Sequence, residues 1–124
     1  MEYREFQDRV HEFDESDIAI YCLDEDRVIT YWNKSAEKLT GYSRKEMVGK
    51  YCFQSGLDHI DDEGRHLCSQ MCPMMGTIFD GEKRSANVWL LNKSKERVNV
   101  IVETDCLYLD DKTVGAIEYF RLAV

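Results

Sequence analysis

Hydrophobic and polar positions fall into short blocks whose period changes along the chain. Tyr3, Phe6, Val10 and Phe13 recur at intervals of three, four and three between charged neighbours. That spacing predicts an amphipathic helix over residues 2 to about 13. So short a helix does not hold alone in water, so its stripe must pack on the domain or on a partner. Ile18 to Leu23 is an apolar run, Asp24-Glu25-Asp26 a polar turn, and Val28 to Trp32 a β-branched and aromatic run. These read as two strands of a hairpin. Asn33 is a good N-cap for a helix through Ala36, Leu39 and Thr40, which Gly41 stops. Ser43 and Glu46 have capping-box spacing and open another short helix.

Residues 49 to 70 read as loop, with Gly49, Gly56 and Gly64 and the carboxylates Asp58, Asp61, Asp62 and Glu63. Cys72-Pro73 then opens a helix with proline at its first position and Met74, Met75, Ile78 and Phe79 on its apolar face. Three strands close the chain near residues 84–91, 97–107 and 113–121, joined by polar turns at 92–96 and 110–112. The predicted order, β-β-α-α-α-β-β-β, is an α+β fold. It implies a five-stranded antiparallel sheet with short helices on one face and an N-terminal amphipathic helix. The division follows: an N-terminal helical cap over 1–14 and one domain over 15–124.

Composition narrows the partners. The 124 residues suit one domain, and 44% hydrophobic content supports a real core. A net charge of −8 argues against a nucleic-acid backbone or an anionic membrane as partner. No apolar run approaches the roughly 18 residues of a membrane span. The opening Met1-Glu2-Tyr3-Arg4-Glu5 does not read as a secretion signal. Five cysteines, an odd number without such a signal, argue against a disulfide framework. The expectation is a cytoplasmic protein. No Ser-His-Asp context or Gly-rich phosphate loop is present, so a catalyst is not expected.

Specific residues now meet that element order. Tyr31-Trp32-Asn33-Lys34-Ser35-Ala36-Glu37-Lys38-Leu39-Thr40-Gly41-Tyr42-Ser43, followed by Glu46-Met47-Val48-Gly49-Lys50, resembles the PAS sensor-domain family. Asp80-Gly81, Arg97-Val98-x-Val100 and Gly115-Ala116-Ile117 fit the same pattern, so the resemblance covers about residues 15 to 121. It implies a sensory module in which a ligand, cofactor or redox state in a small pocket biases flanking helices. Such modules control an attached or partner effector, as a histidine kinase or diguanylate cyclase. The Asp-x-Thr-like junction common at the end of such modules is absent from Phe120-Arg121-Leu122-Ala123-Val124. Nearly all the length goes to one sensor fold, so the response is expected to come from another domain or protein. A homodimer through the N-terminal helix is the expected assembly. The rival reading is a purely structural interaction module with no ligand.

Candidate chemistry concentrates in the loop. Cys52, His59, Cys68 and Cys72 have the residue types of a closed tetrahedral zinc site or an iron–sulfur cluster. Cys72, at a helix N-terminus, would have its thiolate favoured by the helix dipole. The run from Cys52 to Pro73 also resembles a cysteine-bearing subset of bacterial PAS domains. Two other readings stand beside metal: buried structural thiols, or a redox switch between Cys68 and Cys72. Cys22 and Cys106 lie in strand patterns and read as core. Tyr42, Met47, Met75, Phe79 and Trp89, with Met74 and Tyr119, are candidate linings of a ligand pocket. Flavin is less supported, since Tyr51 stands where the light-sensing branch has an asparagine before its cysteine. Haem is also less supported, since the helix beginning at Pro73 has no histidine.

Overall fold

In the computed structural model, which describes residues 1–69 and 72–124, two short helices take the place of the expected single one. They are α1 (Tyr3–Asp8) and α2 (Val10–Glu15), and they meet at Arg9, whose φ of −101° and ψ of 9° interrupt the helix. The apolar stripe survives the break. Phe6 and Phe13 are buried with ring centroids 5.5 Å apart, and Phe6 meets the edge of Tyr31 at 5.3 Å. Together they cover Ile20, Cys22, Leu107 and Ile117. Packing on the chain's own sheet therefore accounts for the stripe.

The sheet runs β2-β1-β5-β4-β3, with every neighbour antiparallel. Its strands are β1 (Ala19–Asp24), β2 (Ile29–Trp32), β3 (Arg84–Leu91), β4 (Arg97–Leu109) and β5 (Lys112–Leu122). β4 and β5 run further than expected because Asp110 and Asp111 take left-handed φ of 51° and 65°, which closes the hairpin tightly. On the face opposite α1 and α2 lie α3 (Lys34–Thr40), α4 (Arg44–Met47) and α5 (Pro73–Asp80). The short helices after β2 and before β3 lie on one face, as the sequence implies, and the N-terminal helical segment covers the other. Strand alternation sorts β1 accordingly: Ala19, Tyr21 and Leu23 face α3–α5, while Ile20 and Cys22 face α1 and α2. All five are buried.

Asn33 joins the two layers. Its Oδ1 caps α3 by accepting from the Ala36 N–H at 2.9 Å and also accepts from the Ile20 N–H at 3.0 Å. Its amide nitrogen donates to the carbonyls of Phe13 and Ile18, each at 2.9 Å. One buried side chain thus ties α2, β1 and α3 together. Nearby, the Trp32 indole N–H donates to the Tyr42 carbonyl at 3.0 Å, which fixes the turn between α3 and α4.

Candidate functional site

The 49–69 segment crosses the sheet face that carries α3–α5, and backbone hydrogen bonds hold it at both sheet edges. On the β2 side, Ile29 N–H donates to Lys50 O at 2.8 Å and Cys52 N–H to Arg27 O at 2.9 Å. These bonds place Cys52 at the start of a short 3₁₀ turn, Cys52–Gln54. On the β3 side, Ile60 and Trp89 exchange N–H···O bonds of 2.9 Å, and Leu91 N–H donates to Leu57 O at 2.7 Å. The segment therefore covers the exposed edge of β3 as an added strand would. Asp58 is pinned beside it: Arg97 donates to its carbonyl and, at 2.8 Å, to its carboxylate, while His66 Nδ1 lies 2.7 Å from the other carboxylate oxygen. His59 is thereby held between two fixed neighbours.

A second 3₁₀ turn, Leu67–Ser69, presents Cys68, and Cys72 caps α5 with its Sγ accepting from the Met75 N–H at 3.4 Å. All four residues that the sequence singles out, Cys52, His59, Cys68 and Cys72, line one small cavity with Tyr21, Met74 and Glu118. Its volume is about 20 Å³, enough for one water-sized occupant. An organic cofactor of flavin or haem size does not fit that space. Among the described residues, no three His, Cys, Asp or Glu side chains stand together as a ready metal site. The structure brings the four to a common cavity but leaves them short of a ligating cluster.

Glu118 is the group that sequence reasoning missed. It lies on the central strand β5, in register with Tyr21 of β1, and is 3% exposed. Tyr21 hydrogen-bonds its carboxyl group, but Oε2 is buried with no hydrogen-bond partner. Burial pushes its pKa up to about 8, against the opposing effect of the Tyr21 bond. Alternation was the available signal: Ala116, Glu118 and Phe120 share the inner face, so a carboxylate sits where the pattern calls for an apolar residue.

Burial dominates the rest of the site as well. It pushes the Cys52 thiol up to about 12, with Cys72 and Cys68 adding to the shift and Arg27 opposing it. Cys68 and Cys72 are also raised, first by burial. This reverses the expectation for Cys72. The N–H groups of Met75 and Met74 do favour its thiolate, but desolvation outweighs them. His59 is only partly buried as a residue, yet its imidazole is enclosed by protein atoms, which lowers its pKa to about 4. It is therefore neutral near pH 7, the form that ligates metals.

The expected pocket linings are placed otherwise. Tyr42 and Met47 are buried in the core around Trp32, and Met75 packs against that core from α5. The Trp89 indole donates to Asp62 at 3.0 Å on the outer side of the loop. Phe79 is 83% exposed, because it projects from the side of α5 opposite the buried Met74 and Thr77. None of these five borders the cavity; of the methionines, Met74 does. Tyr119 faces α2, its ring 6.5 Å from Phe13. Cys22 and Cys106 are buried, as their strand positions imply.

A sequence profile of the PAS fold matches residues 7–84. This chain belongs to the PAS family. Solved PAS domains share its fold over nearly the whole length. A PAS domain from Colwellia psychrerythraea superposes with a TM-score of 0.75 at 23% identity, covering 95% of this chain and 96% of that one. The PAS domain of a two-component sensor histidine kinase gives 0.70 at 15% identity, covering 96% of each chain. That of nitrogen regulation protein NR(II) from Vibrio parahaemolyticus gives 0.67 at 18%, covering 88% and 92%. No curated protein matches the sequence. Among the described residues of this PAS domain, no helix is long and apolar enough to cross a membrane.

Proposed function

We propose that this PAS domain is a cytoplasmic sensory and regulatory module, not a catalyst, and that its input arrives at the Cys52–His59–Cys68–Cys72 cavity. The convergence of those four side chains with a buried, half-satisfied Glu118 carries this reading. Such a cavity responds to a bound metal or small ligand, or to the redox state of its thiols, because each changes the charge buried at the centre of the sheet. The effector is a histidine kinase, as for the similar PAS domain of a two-component sensor, or a diguanylate cyclase, as the sequence resemblance implies, in the same chain or in a partner.

A chimera tests this directly. The chain replaces the PAS input domain of a histidine kinase, and autophosphorylation is compared for the wild type and Cys72→Ser. The expected result is an output in the variant that no longer follows metal chelation or oxidation. Equal responses in both would contradict the reading.

The second reading, a module that pairs two copies, rests on α1 and α2. Their buried stripe already packs on the sheet, so pairing uses the half-buried rim of Tyr3 and Val10. It expects a dimer of the whole chain that dissociates when residues 1–14 are removed. A monomer, or a dimer that survives the cut, leaves the sensory reading alone.

A further inference from the structure

Among the described residues, two buried side-chain polar atoms have no hydrogen-bond partner: Oε2 of Glu118 and Nη1 of Arg27. Native interiors leave few such atoms, and each one calls for an explanation. Here both bear on the same thiols. Glu118 lines their cavity, and the Arg27 guanidinium is close enough to favour the thiolate forms of Cys52, Cys68 and Cys72. Oε2 of Glu118 is thus an unsatisfied oxygen at a cavity the size of a single ion, while Arg27 supplies positive charge from outside the lining.

We propose that the cavity is the site of one soft divalent cation of the zinc class, held by Cys52, Cys72, His59 and Glu118. This deepens, and rests on, the reading of the cavity as the sensory input. The donor chemistry selects the metal: sulfur and imidazole suit zinc, and hard cations such as magnesium and calcium avoid both. The volume of about 20 Å³ selects a single ion over an iron–sulfur cluster. Cys52, Cys72 and Glu118 are at most 9% exposed and come from three separate elements, the 52–54 turn, the cap of α5 and the centre of β5.

Burial and an existing hydrogen bond decide between Glu118 and Cys68 as the further anionic donor. Two thiolates and one carboxylate carry three negative charges, which a dication and Arg27 cancel. A third thiolate in place of the carboxylate gives the same balance, so charge does not choose between them. Cys68 is less buried, and its sulfur already takes a hydrogen bond from the His59 backbone. Binding releases the two thiol protons and the Glu118 carboxyl proton to solvent and draws the Cys52 turn and the Cys72 cap onto β5, since no three donors are yet assembled.

The test uses the whole chain under a phosphine reductant, with zinc affinity measured against a chromophoric chelator and cobalt as a spectroscopic probe. One equivalent of zinc is expected, with cobalt giving thiolate charge-transfer bands and tetrahedral d–d bands. Cys72→Ser and Glu118→Gln should each weaken binding about tenfold or more, while Cys68→Ser leaves it unchanged. Glu118→Gln keeps the shape of the side chain, so a loss of affinity in a folded variant reports the carboxylate. Wild-type affinity in Glu118→Gln, or loss of binding in Cys68→Ser, would overturn the donor set. If the folded wild type binds no zinc while Cys72→Ser still alters kinase output, the cation is overturned and the sensory reading stands. If zinc binds as described and the kinase output ignores it, the site stands and the sensory reading falls.

Discussion

Glu118→Gln is expected to stabilise the metal-free chain by roughly 4 kcal/mol at pH 8 and to remove a pH-dependent loss of stability. The folded carboxyl has a pKa near 8, raised by burial from an ordinary 4.5. The native state therefore holds this proton more tightly than the unfolded state. The associated stability is fully present below about pH 4.5 and is lost as pH rises through about 8. A glutamine has nothing to ionise and fills the same space.

His59 acts in the opposite direction, because its folded pKa of about 4 lies below the ordinary 6.5. Its contribution is present above pH 6.5 and is lost as pH falls toward 4. The difference between variant and wild type isolates Glu118 from that second effect. Urea unfolding in chelator at pH 5 and pH 8 measures it. A gain that grows between the two pH values agrees; equal stability at pH 8 would mean that Glu118 is not buried as described.

Asn33→Ala is expected to cost roughly 3 kcal/mol or more, beyond the approximately 1 kcal/mol of an ordinary N-cap. The alanine leaves the N–H groups of Ala36 and Ile20 and the carbonyls of Phe13 and Ile18 without their shared partner. Asn33 itself is 1% exposed, so water does not readily replace it. The damage should also spread in a particular direction. Since the amide nitrogen anchors the end of α2, hydrogen-exchange protection over residues 10–15 should fall with the global stability. A loss near 1 kcal/mol with α2 protection intact would show that the links to Phe13 and Ile18 carry no weight.

Asn33 also shows how far the sequence could be read. Its role as N-cap was legible, because the signal for a cap lies within four residues. Its second role was not, because Phe13 and Ile20 reach it only through the tertiary fold. The same division runs through the rest of the molecule. Hydrophobic runs, periods and caps placed the five strands and the helices after Asn33, Ser43 and Cys72, and the residues from Tyr31 to Lys50 pointed to the family. The break at Arg9 was hidden, since the stripe of Phe6 and Phe13 stays continuous across it. The seam between the 57–60 segment and β3 was hidden too. Backbone pairing at a sheet edge leaves little trace in side-chain pattern.

At the site, residue chemistry proved more legible than packing. Cys52, His59, Cys68 and Cys72 stood out by type and do share a cavity. Tyr42, Met47, Met75, Phe79 and Trp89 were chosen as large apolar groups, a property that core, surface and pocket residues share. Phe79 projects into solvent and Tyr42 into the core, a distinction set by which side of an element faces the sheet. Glu118 was overlooked because a single glutamate in a closing strand reads as an exposed residue. Only the register against Tyr21 places it at the centre of the fold.

The central claim is that Glu118 and the loop cysteines share one buried cavity. Carbon-detected NMR of the metal-free chain, followed from pH 5 to pH 9, tests it most directly. The Glu118 carboxyl carbon is expected to titrate near 8, and the β-carbons of Cys52 and Cys72 to shift with the same midpoint. A Glu118 midpoint near 4.5, with both cysteines unresponsive, would contradict it.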